Sequence, residues 1–256
     1  MREVAGAGEV HRDAGGRRRG DDLLVAHRPP GLHDRADAGV EQHLQSVGER
    51  EERVGPPGAG ETVEDGDFAR VDWDWAELDS VTFVRCRFDD AHMLELVTRG
   101  CVFEECVLTG VRMAGGSHTG TAFLSCRFER ARMSNSVFEA CKLTGSHFPG
   151  ADLRPLESRD CDWSWTSLRG VDLSGTDLSG QRFTEADLTD ADLRECDLQR
   201  ADLTNARVQH LALRGSDLRG ASTGGVDFRQ VELKGVRLDL LQAVQVARTY
   251  GALVED

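Results

Sequence analysis

From Phe68 to Leu238 a large apolar residue recurs at every fifth position. Of the 35 places in that register, 31 hold Phe, Leu, Met, Trp or Val, and all 10 phenylalanines of the chain fall in it. A small residue recurs two places earlier, as at Val71, Ala76, Val81, Cys86 and Ala91, and again at Ala186, Ala191, Cys196, Ala201 and Ala206. Between the two stands a polar residue, often Asp. The unit reads small-Asp-Leu-x-x, clearest at Ala186-Asp187-Leu188-Thr189-Asp190. A period of five fits neither the 3.6 of a helix nor the 2 of a plain strand. Residues two apart that share a direction make a short extended segment, and the remaining two must turn the chain. Gly fills the last slot 13 times, where a corner with positive φ favours it. The pattern predicts a wound coil with one large and one small side chain inside each side, successive coils pairing through their backbones.

This unit resembles the Ala-(Asp/Asn)-Leu-x-x pattern of the pentapeptide-repeat family, over residues 66–238. The resemblance implies an all-β fold, a right-handed quadrilateral β-helix with four pentapeptides per coil. Thirty-five units then make about nine coils, and at ~4.8 Å per coil a rod of roughly 42 Å. Residues 1–65 show no period and read as a disordered or irregular N-terminal segment. Residues 239–256 leave the period again. Asp239 is placed as an N-cap, Leu240, Leu241 and Val244 follow helical spacing, and Gly251 makes a stop. A short C-terminal helix is expected there, either capping the open edge of the solenoid or making a dimer contact. In gyrase-protecting members of the family a helix in this place mediates a two-fold dimer, so the resemblance implies a homodimer as the alternative to capping.

With four units per coil, residues 20 apart stack. Three polar lapses in the large slot, Thr98, His118 and Ser158, then share one wall. Leu96 and Leu156 occupy the small slot before two of them, nearly conserving volume. Local repacking is expected, with a functional groove as the sharper reading. The run Gly115–Gly120 is expected to bulge, because a buried unpaired imidazole is costly.

Charge and chemistry narrow the function. A net charge of −14 and a pI near 5.0 argue against a nonspecific nucleic-acid binder. No run of 18 apolar residues spans a membrane, and Met1-Arg2-Glu3-Val4 does not open a signal peptide, so a cytoplasmic location is expected. The charge is polarised. Arg85, Arg87, Arg112, Arg127, Arg130, Arg132 and Lys142 lie in the first half, whereas residues 150–205 carry 13 acids against 6 arginines. All 7 cysteines fall in the small slot at multiples of five, which matches no zinc-ligand spacing and reads as packing. No nucleophile–base arrangement, phosphate-cradling loop or paired-carboxylate cleft stands out. A filled solenoid has no substrate pocket, so neither catalysis nor a metal or other cofactor is expected. Candidate partner contacts are Asp152, Asp172, Asp177, Asp192, Asp197 and Asp202, with the corner residues Trp75 and Trp165. The favoured reading is an interaction scaffold acting on a protein partner through its surface. The resemblance implies the alternative, a DNA mimic that binds a type II topoisomerase.

Overall fold

The structure, a computed structural model, describes residues 54–255. Most of the expected irregular segment, residues 1–53, lies outside the described residues. Backbone pairing steps by 20 residues on four sides of the chain: Thr62↔Thr82, Asp67↔Arg87, Asp72↔His92 and Glu77↔Val97, all parallel. Four pentapeptides therefore make one coil. We number the sides first to fourth from these four starting residues. Pairing runs from Thr62 to Arg237, close to nine coils of twenty residues. The paired coil thus opens at Thr62, four residues before the expected start at 66, with Val63 facing the core. Ahead of it, the Val54 carbonyl accepts from Trp73 Nε1 at 2.8 Å, so the preceding chain crosses the open end of the first coil.

Two sides carry short strands in the first half. The first side holds β1 (Thr62–Glu64), β3 (Thr82–Val84), β5 (Val102–Glu104) and β7 (Ala122–Leu124). The fourth holds β2 (Glu77–Asp79), β4 (Val97–Arg99), β6 (Ser117–Thr119), β8 (Ser136–Glu139) and β9 (Leu156–Arg159). Elsewhere each rung is a single bridge between turns. The residue in the Asp slot explains much of this difference. Where it is Asp, as at Asp172, Asp177 and Asp202, its Oδ1 accepts from the amide two residues on at 2.9–3.0 Å and closes a tight turn. Val97, Val102 and Val137 have no oxygen to close that turn, Thr82 closes it only weakly, and all four β-branched side chains favour extended chain.

The corners take a positive φ whether or not they hold glycine. Arg130, Trp165 and Glu195 sit at φ 54°, 62° and 59°, beside glycine corners such as Gly170 at 66°. The corner geometry is imposed by the pairing on either side rather than by residue preference.

Inside, the large slot packs aromatic rings in columns. Phe83, Phe103 and Phe123 stack with successive centroids 4.9 Å apart, and Phe128 and Phe148 lie 4.8 Å apart and nearly parallel. The small slot has a second property that composition does not reveal. Its thiols and hydroxyls donate to the carbonyl 23 residues earlier: Cys126 to Phe103 at 3.3 Å, Cys196 to Leu173 at 3.1 Å, Ser146 to Phe123 at 2.9 Å. Ser and Cys are therefore accepted in a fully buried column because the preceding coil offers an acceptor.

The wall with the polar lapses does not bulge. His118 lies in the regular strand β6 and is fully buried. Its Nδ1 is 2.9 Å from Thr98 Oγ1, which lies 2.8 Å from Thr121 Oγ1, while Nε2 has no partner. Gly116 makes the space, since a Cβ there would sit 2.8 Å from Nε2. The imidazole is kept inside by one hydroxyl partner and by T-shaped and tilted contacts with Phe123 and Phe138. Ser158 is answered by Gln181, whose Oε1 accepts from it at 3.1 Å and from the Cys161 amide at 3.0 Å. At Thr98 and His118 this wall is repacked with internal hydrogen bonds, whereas Leu156 and Ser158 border a shallow cleft.

The C-terminal helix α1 (Leu240–Thr249) begins at Asp239, which caps it in a reciprocal box with Gln242. Its orientation departs from the sequence pattern. Gln242 is buried and donates to the Leu218 and Ala221 carbonyls, Gln245 Nε2 donates to the Thr223 carbonyl, and Asp239 accepts from the Gly220 amide. Leu240 and Leu241 are 79% and 82% exposed, and Val244 is half-buried. The final coil leaves unpaired backbone groups, and glutamine amides satisfy them where leucine could not. The lapse at Thr223 belongs to the same contact, its hydroxyl donating to Gln245 Oε1 at 2.7 Å.

Candidate functional site

The four-sided winding sorts the candidate carboxylates into columns. On the third side Asp172 pairs directly with Asp192, and on the adjoining fourth side Asp177, Asp197 and Asp217 pair in succession. Asp152 and Glu157 stand twenty residues before Asp172 and Asp177, with no backbone bridge to them among the described residues. Two acidic columns therefore lie on two neighbouring faces, each with its backbone pairing interrupted after the coil that holds Asp152 and Glu157. Asp202 is not part of either. It stands on the first side in the alternating series Asp162, Arg182, Asp202.

Their electrostatic states differ. Asp192 is held below the usual carboxylate range first by Arg194, which grips both of its oxygens at 2.5–2.9 Å. For Asp172, burial pushes the carboxyl up, but the Ser174 amide and the Arg154 guanidinium at 3.1 Å outweigh it and hold it low. Asp202 is likewise pushed up by burial and held low by Thr204 and Thr184. Among the described residues, Asp152, Asp177 and Asp197 have no cation within 4.0 Å. One oxygen of each Asp closes its own turn, so the carboxylate has a structural duty before any other. A shallow cleft of about 430 Å³ lies between Glu157 and Asp177, floored by the chain around Pro155 and rimmed by Arg154 and Arg159.

Trp75 and Trp165 are exposed corner residues, 69% and 57% accessible, and stack on no other ring among the described residues. They are 90 residues apart, four and a half coils, which puts them on diagonally opposite corners. No single flat partner surface can meet both.

The thiols are core groups. Burial pushes Cys196 up to about 11, which keeps it protonated and unreactive at neutral pH. All seven are free and buried. Among the described residues no cluster of His, Cys, Asp and Glu is arranged to hold a metal ion, and no helix is long and apolar enough to cross a membrane.

A four-sided parallel coil with a five-residue unit, a filled core and a helical C-terminal cap defines a pentapeptide-repeat β-helix. The pentapeptide-repeat family model matches eight copies over residues 123–154, 159–180 and 182–220, so the chain carries that family's repeat there. It is 42% identical over 86 residues to the pentapeptide repeat protein MfpA of Mycobacterium tuberculosis, a stretch covering 34% of this chain. That match spans about half the length of the relative, 47%. Among solved structures the fold matches full-length QnrB1, a plasmid-mediated fluoroquinolone resistance protein, with a TM-score of 0.68 at 19% identity, over 75% of this chain and 98% of that one. A trypsin-treated variant of QnrB1 matches with a TM-score of 0.55 at 21% identity, over 77% of this chain and 98% of that one.

Proposed function

We propose that the protein acts without catalysis, through protein contact along its solenoid, and that the partner is a type II topoisomerase which the acidic half engages in place of DNA. Charge density supports this reading most directly. Residues 150–205 carry 13 acids and 6 arginines, a net of −7. At twenty residues and ~4.8 Å per coil this charge lies on about 13 Å of rod, roughly one charge per 1.9 Å. Duplex DNA carries one per about 1.7 Å of axis. A surface that binds the duplex by its phosphates meets a similar field here, on a rod that keeps its own shape. The resemblance to gyrase-protecting members points to the same partner. Asp152, Asp177 and Asp197 are the residues to contact a basic groove, since Arg154 and Arg194 already answer Asp172 and Asp192.

The purified chain is expected to inhibit DNA supercoiling by gyrase. The triple variant Asp152→Asn, Asp177→Asn, Asp197→Asn should raise the half-inhibiting concentration at least tenfold. The matching variant at Asp172, Asp192 and Asp202 should raise it less. No inhibition by the unaltered chain at micromolar concentration removes the topoisomerase and leaves a scaffold for an unrelated protein. That second reading draws on the cis ion pairs, which spend part of the acidic field inside the chain itself.

The partner of the exposed Leu240 and Leu241 is, on this reading, a second copy of the chain. Leucines turned away from their own solenoid at 79% and 82% exposure are apolar surface that a two-fold contact would cover. Sedimentation should show a dimer that Leu240→Glu with Leu241→Glu converts to monomer without loss of helix. A monomeric unaltered chain rejects the dimer.

A further inference from the structure

The first half of the third side carries a feature that the acidic reading does not use. His92, Arg112 and Arg132 occupy successive rungs there, paired directly through their backbones. Like charges directly opposite on neighbouring strands repel. Elsewhere on the solenoid, arginines are commonly answered: Arg85 by Asp65, Arg99 by Glu77, Arg182 by Asp162, Arg219 and Arg237 by Asp217. By contrast, no carboxylate among the described residues lies within 4.0 Å of the guanidinium nitrogens of Arg70, Arg112 or Arg132. All three open onto one groove.

That groove has a volume of about 390 Å³, and its lining also includes Asp90, His92, Gly110 and Arg130. Four arginines and one carboxylate therefore line it, Arg130 being engaged by Glu129 at 3.4 Å. Gly110 makes the notch. It is the corner residue between the Asp90 and Arg130 rungs, at φ +67°, and a Cβ there would lie 2.4 Å from Asp90 Oδ1. With no side chain at that corner, a depression is left beside the Arg112–Arg132 ladder. Arginines on rungs whose backbones lie ~4.8 Å apart each carry a planar fork that takes two oxygens of a tetrahedral oxyanion.

We propose that this notch is an anion site for a phosphate-type ligand bearing two linked phosphoryl groups, with Arg112 and Arg132 as its two forks and Arg70 closing the far end. A diphosphate offers oxygens to both rungs at once, and its charge cancels the repulsion that the ladder carries when empty. The site adjoins the acidic third-side column, whose first residue, Asp152, is on the rung paired with Arg132.

Inorganic pyrophosphate titrated calorimetrically into the full chain at low ionic strength is the test, with orthophosphate and citrate as comparisons. Pyrophosphate should bind at least tenfold more tightly than either. Arg112→Gln and Arg132→Gln should each weaken it at least tenfold, and Arg214→Gln, an arginine outside the groove, should leave it within twofold. Citrate binding as tightly as pyrophosphate, or indifference to the two groove variants, overturns the proposal. Thermal melting supplies a second readout. Free of ligand, Arg132→Gln should melt at the same or a higher temperature, because a repulsion has gone. A clear fall would make the arginine a structural residue and overturn its role as a ligand fork.

Discussion

Phe103→Ala is expected to lower the stability of the protein by about 3–5 kcal/mol, measured as a fall in the urea midpoint at unchanged slope. Phe103 is sandwiched between Phe83 and Phe123 with ring centroids 4.9 Å away on either side, and Phe88 meets it edge-on at 5.8 Å. Its backbone belongs to β5, which pairs with β3 on one side and β7 on the other. The coils cannot move together to fill the void without breaking that register, so the site should collapse less than most. Leu233→Ala supplies the contrast. Leu233 lies in the last coil and is only partly buried, so its cost should be less than half as large. Equal costs at the two positions would show that the stack contributes nothing beyond ordinary burial.

That large side chains such as Phe103 and Leu233 point inward is legible in the amino-acid sequence itself, because a five-residue period turns each of them to the same side of its segment. The twenty-residue step is legible only through the family resemblance. It is that step that turns a series of aspartates into two columns and strands Asp202 on an alternating one. Two features lie beyond the pattern for physical reasons. The spacing of Leu240, Leu241 and Val244 marks a helix that either caps the solenoid or makes a dimer contact, but the surface it docks on is an open rung of backbone carbonyls, and such a surface selects Gln242 and Gln245. His118 reads as a bulge when weighed alone. Its tolerance depends on Thr98 one rung before it and on the missing side chain of Gly116, neither of which a five-residue window connects to it. The arginine groove is hidden likewise. Arg112 and Arg132 are visible as charges in the sequence, but their lack of a counter-ion among the described residues is a property of every neighbouring rung.

His118 also sets a pH dependence that can be separated from that of the surface. Burial without a partner for Nε2 pushes its pKa down to about 3, against about 6.5 in the unfolded chain. Between these values the unfolded chain binds a proton that the folded chain refuses. Stability is therefore intact above pH 6.5 and falls as the pH drops towards 3, by up to about 1.4 kcal/mol per pH unit, or on the order of 3 kcal/mol by pH 4. Acid also protonates the low-pKa carboxylates, Asp172 and Asp192 among them, so a falling curve alone would not identify the histidine. His118→Leu installs the residue type that the repeat favours at this slot and removes both the orphaned nitrogen and the titration. The variant should be as stable as the parent or more so at pH 7, and the gap should widen in its favour as the pH falls below 6.5, because the carboxylate contribution is common to both proteins and cancels. A gap that stays constant from pH 7 to pH 4 would mean that the imidazole finds a proton acceptor or water in the folded core, and that the wall at Thr98 and His118 opens to solvent after all.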